Sequence, residues 1–402
     1  HPSGFASFDR TKEGFWYFKL KVHGGAIWLF DPAKNIDYLY PLYYTYMTVQ
    51  KISVNNMRSY ALYSTDIHPS TMLILGKNGS GKTTLLEAIY LLHRGTSFRG
   101  RDRDVVPHGQ SSAEIKIEFS SGEMRKVLIS TDETGKFSKL FFIDDKKSAR
   151  LAPAKKLPVV LFEPDELRLL SSSPQRRRDF IDGIIARLSP TYSTVLSRFA
   201  RALLQRNELL KQFETMSLDT WESHLFAWDV KLAELSASII KARRNFLIHS
   251  NEHLSRIYSS LAGENHTVTA LYLSTIKSDD DSLQQVLLQS LERFRQSDAL
   301  RGYTTTGPHR DDIDVSLDNH PANETASRGE MRTIMLAFKL LEVELQEHHS
   351  GTKPLILLDD VFSELDATRE QRLMESLQGY QTIITATDLR DELKVDASIT
   401  SL

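Results

Sequence analysis

The rhythm of apolar and polar residues divides the chain into stretches of different kind. Thr48-Val49-Gln50-Lys51-Ile52-Ser53-Val54 alternates with the period of a half-buried strand. Met72-Leu73-Ile74-Leu75 is a continuous apolar run between Pro69 and Gly76, the pattern of a strand buried on both faces. Thr84 to Leu92 carries a broad apolar face at helical spacing. Residues 113–145 alternate in short pieces, broken by Ser120-Ser121-Gly122 and Asp132-Glu133-Thr134-Gly135, and predict hairpin strands. Lys156 to Phe162 predicts another strand.

From about Pro174 to Arg301 glycine nearly vanishes and long amphipathic segments take over. Their periodicity predicts helices over 175–188, 190–213, 221–258 and 282–297, with a strand at Val268–Leu273. Alternating α/β character then returns: a helix over 331–348, a buried strand at 355–358, a helix over 368–377 and a strand over 381–385. This order predicts an α/β lobe built from both ends of the chain, over residues 47–165 and 302–402. A mostly helical lobe, residues 166–301, is inserted between them. The insertion is much too short for the coiled-coil arm of a chromosome-organising ATPase.

The first 46 residues are set apart by composition. They hold thirteen of the 37 aromatic residues. Charged and aromatic residues are interspersed there, unlike the basic end and apolar run of a secretory signal. The expectation is that the native fold and natural translation begin at Met47, with 1–46 a leader outside the fold.

With 402 residues, 41% hydrophobic and 25% charged, the whole is ordinary for a globular protein of two or three domains. A net charge of -2 argues against a simple basic DNA-coating protein, but local patches set the field near a groove. The lack of cysteine removes disulfides, zinc–thiolate sites and thiol catalysis, and it suits a reducing cytoplasm, the expected location. No apolar run approaches the length of a membrane span.

Gly76-Lys77-Asn78-Gly79-Ser80-Gly81-Lys82-Thr83 meets the pattern G-x-x-x-x-G-K-[ST]. Glycines let backbone N–H groups converge on phosphate oxygens. Lys82 can reach the β- and γ-phosphates, the Thr83 hydroxyl can ligate Mg²⁺, and Thr84 lies in the first turn of the helix beyond, whose positive end faces the phosphates. The loop follows a buried strand and opens a helix, as this chemistry requires. The expected cofactors are ATP and Mg²⁺.

Leu355-Ile356-Leu357-Leu358-Asp359-Asp360 has the apolar-strand-then-acid order of a Walker B element. Asp359 is expected to hold Mg²⁺, and Asp360 to orient or deprotonate the attacking water. Ser327-Arg328-Gly329-Glu330 reads locally as a capping box at a helix start. Its functional reading is the ABC signature, in which Ser327 and the Gly329 backbone meet a γ-phosphate held by the opposite subunit. Ser363-Glu364-Leu365-Asp366 is similar to a D-loop. The fold class expected is therefore an ABC-type P-loop ATPase lobe with an inserted helical lobe, and Lys82, Ser327 and Asp360 are its catalytic candidates.

Further segments carry a resemblance to the RecF family of bacterial recombination-repair proteins, in the ABC/SMC ATPase class. Val54-Asn55-Asn56-Met57-Arg58-Ser59-Tyr60 is similar to that family's opening segment. Ser97-Phe98-Arg99, Pro174-Gln175-Arg176-Arg177-Arg178-Asp179-Phe180-Ile181-Asp182, Gly307-Pro308-His309-Arg310-Asp311-Asp312 and Asp359 to Asp366 resemble later segments in the right order, covering about residues 48–390. The resemblance implies an ATP-dependent homodimer that binds DNA at gaps or single-strand/double-strand junctions. It also implies partners of the RecO, RecR and RecA type, and no membrane. Arg328 and Glu330 stand where the family signature usually has glutamine, and Met57 where it has an aromatic residue. Glu330 beside a γ-phosphate is repulsive unless it folds back as the cap.

Candidate DNA contacts are Arg94, Arg99, Arg101, Arg103, Arg176, Arg177, Arg178, Arg198, Arg201, Lys241, Arg243 and Arg244, each also readable as a solvated face. His309 with Asp311 and Asp312, and His348-His349, read as a polar loop and a helix end rather than metal sites. The alternatives to an ATP-driven DNA binder are the ATPase subunit of a membrane transporter and a scaffold that uses ATP only as a switch.

Overall fold

The computed structural model describes the backbone of residues 6–10, 16–20, 26–31 and 36–41, and residues 47–387 and 398–402 in full. In the leader, Ala6–Arg10 pairs antiparallel with Trp16–Leu20, and Ala26–Asp31 with Ile36–Pro41. The leader's side chains, and with them the expectation about Met47, lie outside the described residues.

The chain forms two compact units. The first joins the N-terminal part up to Phe162 with Val343–Glu364 and Leu377–Leu402. Its centre is a parallel sheet in the order Val159–Phe162, Leu355–Asp359, Thr382–Ala386, Thr71–Leu75, Ser398–Ser401. The three strands Val159–Phe162, Leu355–Asp359 and Thr382–Ala386 are buried at every position, which is why Val159–Phe162 and Leu355–Leu358 read as continuous apolar runs rather than alternations. A second, antiparallel sheet runs Lys146–Ser148, Phe137–Ile143, Met124–Thr131, Ser112–Phe119, Val49–Met57, Tyr60–Asp66. Its strand Ser112–Phe119 alternates strictly, with Ala113, Ile115, Ile117 and Phe119 buried. These side chains form one core with Leu85, Leu86, Ile89 and Leu92 of the helix Lys82–Arg94 and with Met72 and Ile74. Met57 fills the place of the expected aromatic residue and is fully buried in that core.

The second unit takes in Glu163–Glu342 and Leu365–Ser376, and so reaches beyond the helical stretch to include the 327–330 motif. Its helices are Pro174–Leu188, Pro190–Leu210, Leu218–Ala262, Leu283–Arg293 and Arg295–Arg301. The 221–258 pattern thus lengthens at both ends, and the 282–297 pattern breaks at Phe294, whose backbone leaves the helical region. The strand Val268–Leu273 pairs antiparallel with Asp312–Leu317, and that with His320–Pro321. Val268–Leu273 is an edge strand, and the long helix satisfies its backbone with side chains on one face. Asn251 exchanges hydrogen bonds with both backbone groups of Ala270, and Ser255 Oγ accepts from Val268 N–H. Polar residues at helical spacing thus blunt the edge.

A buried ionic cluster ties this unit together. Arg206 donates to Asp229, Asp298 and the Thr304 hydroxyl, and all three charged side chains are fully buried. Burial without partners would be far costlier than burial as a satisfied set.

Candidate functional site

The loop Gly76 to Thr83 leaves the strand Thr71–Leu75 and enters the helix Lys82–Arg94. Gly81 stands at φ 104°, and a Cβ there would come within 2.7 Å of the Tyr60 ring, so both backbone and space demand glycine. The helix begins with no acidic residue in its first turn, leaving its positive end without an internal anion. Lys82 is buried, and its Nζ donates to the carbonyls of Gly76 and, at 3.1 Å, Lys77. These bonds lay the ammonium across the loop.

Thr83 Oγ1 donates to Asp359 Oδ1 at 2.8 Å. The parallel register that pairs Leu355–Asp359 with Thr382–Ala386, and that strand with Thr71–Leu75, delivers the acid to the loop. Asp360 follows in the left-handed region at φ 51°. Burial, then repulsion from Asp359 and Glu364, pushes its carboxyl above the ordinary range, while Lys82 opposes the rise. A carboxylate held this way is a better proton acceptor than a solvated one. A cavity of about 330 Å³ opens here, lined by Asn78, Gly79, Lys82, Thr83, Thr84, Asp359 and Asp360.

Two arginines, Arg58 and Arg99, also line it. Sequence reasoning gave them no role at the nucleotide. Arg58 makes a bidentate pair with Glu87, which is fully buried in the helix after the loop, and Ser97 Oγ donates to the same carboxylate. The signal was a lone buried-face glutamate between apolar residues in that helix, which needs a cation. Arg99, one of the candidate DNA contacts, is exposed and also lines this cavity.

In the second unit, Ser327 precedes the helix Arg328–Ser350. Ser327 N–H donates to Glu330 Oε2 at 2.7 Å, and Glu330 N–H donates to Ser327 Oγ at 3.3 Å. This is the reciprocal capping box, and it holds the Glu330 carboxyl below the usual range through the hydrogen bonds from Ser327. Glu330 is therefore turned back as the cap. Arg369 joins this motif to Asp366: its side chain pairs with Asp366, and its Nε donates to Thr333 Oγ1 at 2.7 Å.

Several expected DNA contacts are committed elsewhere. Arg177 forms a bidentate pair with Asp312, Arg178 is buried against the Asp311 carbonyl, and Arg243 is buried in a bidentate pair with Asp182. Arg244 caps the carbonyls of Ile276 and Ser278. These four are structural cations rather than a solvated face. Arg94 and Lys241 are half-buried, whereas Arg101, Arg103, Arg176, Arg198 and Arg201 are exposed. His309 is half-buried, with Nε2 at the Thr304 carbonyl, and desolvation pulls its imidazole down to about 4. Among the described residues no group of histidines and carboxylates is arranged to hold a metal ion, and no helix is long and apolar enough to cross a membrane.

A phosphate loop, an adjoining acidic strand end and a parallel sheet closed by both ends of the chain define a P-loop ATPase of the ABC type. Residues 48–397 match the family described as RecF/RecN/SMC N terminal domain. The chain is 33% identical to the DNA replication and repair protein RecF of Gloeobacter violaceus, over 85% of its length and 92% of the relative's. It is 34% identical to that of an Exiguobacterium species, over 85% and 93%. A solved structure described as the recombination mediator protein RecF with ATP in the RecFOR pathway is similar to it, with a TM-score of 0.75 at 29% identity, over 86% of this chain and 93% of that one. The chain belongs to the RecF family.

Proposed function

We propose that this protein is an ATP-dependent DNA-binding ATPase of recombinational repair, acting in the cytoplasm. Two copies close on ATP: the loop Gly76 to Thr83 of one grips the phosphates, and Ser327 and Gly329 of the other cap the γ-phosphate. The closed dimer binds gapped or junction DNA and promotes RecA loading with RecO- and RecR-type partners. The observation that carries this reading is the hydrogen bond from Thr83 to Asp359, which joins the phosphate loop to the acidic strand end. The RecF–ATP structure it resembles supports the choice of nucleotide.

Lys82 neutralises phosphate charge, and the loop N–H groups orient the terminal phosphate. Thr83 and Asp359 supply hard oxygen donors side by side, the set that suits Mg²⁺, which when bound offsets charge on the β- and γ-phosphates. Asp360, with its raised proton affinity, holds the attacking water and takes its proton. If ATP binds only the closed form, each site at 100-fold saturation favours dimerisation by about 2.7 kcal/mol, and two sites by about four decades.

Sedimentation with ATP, Mg²⁺ and gapped DNA tests the reading. Dimers that form with ATP and carry DNA are expected, with binding that weakens steeply as salt rises. A chain that stays monomeric at saturating ATP and Mg²⁺ refutes it. Phosphate release by wild type against Asp360→Asn separates an ATPase from a switch that only binds.

A further inference from the structure

The strand Thr382–Ala386 sets Thr385 opposite Asp359 in parallel register, with Ile74 on its other side. Thr385 is fully buried. Its Oγ1 lies 2.8 Å from Asp359 Oδ1 and 3.1 Å from Asp360 N, while its carbonyl lies 3.1 Å from the same Asp360 N. A hydroxyl has one proton and two lone pairs. Here it donates to the Asp359 carboxylate and accepts from the Asp360 N–H. The Leu358 carbonyl, at 3.4 Å, is a longer and uncharged alternative acceptor.

Two consequences follow. First, Asp359 Oδ1 receives two donors, Thr83 from the helix after the phosphate loop and Thr385 from the adjacent strand. Both bonds hold the same carboxylate oxygen. Secondly, Asp360 departs from the strand into the left-handed region at φ 51°, a conformation that aspartate visits only at some cost. Both acceptors on its N–H belong to Thr385. One buried residue, through its hydroxyl and its carbonyl, therefore bonds one acid's carboxylate and the next acid's backbone N–H.

We propose that Thr385 is a positioning residue that couples the metal-binding carboxylate of Asp359 to the water-orienting carboxylate of Asp360. It is fully buried behind the residues that line the cavity. Its hydroxyl, not its bulk, does this work, because valine has the same shape without the donor. The proposal rests on the ATPase reading above and adds the residue that keeps its two acids in register.

The test uses the full chain with Thr385→Val and Thr385→Ser, reading ATP affinity with and without Mg²⁺, kcat, and unfolding by calorimetry. Thr385→Val should bind ATP in EDTA about as wild type does and lose most of the Mg²⁺-dependent gain in affinity. Its kcat should fall about tenfold or more, the effect of removing one hydrogen bond to a charged group. Thr385→Ser should restore both. A folded valine variant with kcat and Mg²⁺ dependence within about twofold of wild type overturns the proposal. So does a serine variant that folds yet stays as slow as valine. Should the valine chain not fold, the serine chain decides alone: wild-type turnover supports the hydroxyl's role, and a tenfold loss overturns it. Failure of the wild type itself to bind or hydrolyse ATP would instead sink the ATPase reading.

Discussion

Thr83 Oγ1 lies 2.8 Å from Asp359 Oδ1, a hydrogen bond that joins residues 276 positions apart in the chain. One partner opens the helix after the phosphate loop, and the other ends a fully buried strand. The bond exists because the parallel sheet interleaves both ends of the chain. The nucleotide site therefore cannot form until the C-terminal segment has folded onto the N-terminal one.

Thr83→Val follows directly. It removes the hydroxyl while keeping the β-branched shape at the helix start. ATP affinity in Mg²⁺ should fall about ten- to hundredfold, the range for a hydrogen bond to a charged group, while affinity in EDTA changes little. Fluorescence titration with and without Mg²⁺ checks this. Equal losses in both conditions would mean that the loop itself had been damaged.

Ser327→Arg tests the cap. The capping box shows Ser327 at the exposed start of its helix, with Glu330 folded back rather than projecting. A long cation there should leave each copy able to bind ATP and unable to close on its twin. Light scattering with saturating ATP should find monomers only. ATP-dependent dimers of this variant would rule out the shared-phosphate arrangement.

Much of this was legible in the residues. The glycine spacing of 76–83 and the apolar run ending in Asp359-Asp360 are local signals, and the α/β lobe with an inserted helical lobe followed from period alone. What escaped was set by pairing between distant segments. Thr385 looks like any β-branched strand residue until the register places it beside Asp359. Arg177, Arg178 and Arg243 look like surface charge until Asp311, Asp312 and Asp182 are brought to them. The break at Phe294 was hidden because its neighbours keep a helical pattern on both sides.

Arg206→Met should be among the most damaging substitutions in the second unit. Arg206 is completely buried with Asp229 and Asp298, and Arg295 reaches only the far oxygen of Asp229. Methionine fills much of the space but leaves Asp298 with only the hydrogen bonds from Thr305 and Asp229 with Arg295, each short of the buried cation that it pairs with now. Breaking such a set by removing one partner costs about 3–5 kcal/mol. Urea unfolding should show a lower midpoint at unchanged slope. A midpoint equal to wild type would mean that water already reaches these carboxylates.

His266 gives a prediction with a sign. Its Nδ1 lies 2.7 Å from Asp318 Oδ2, and that hydrogen bond, more than any other cause, holds the imidazole above its ordinary value. Asp318 is held below its own, first by the Thr267 N–H and then by His266. A raised histidine binds its proton more tightly in the folded chain. Its contribution to stability is complete below the unfolded value of ~6.5 and is lost as pH rises through the folded one. A depressed aspartate contributes above its unfolded ~3.9 and loses that contribution as pH falls through the folded value. The pair should therefore act most strongly between these limits, and weakly, since a quarter of the imidazole is exposed. The His266 ring-proton resonance should titrate above ~6.5 in wild type and shift down in Asp318→Asn. A wild-type midpoint at or below that value would mean that the two side chains do not stay paired in solution.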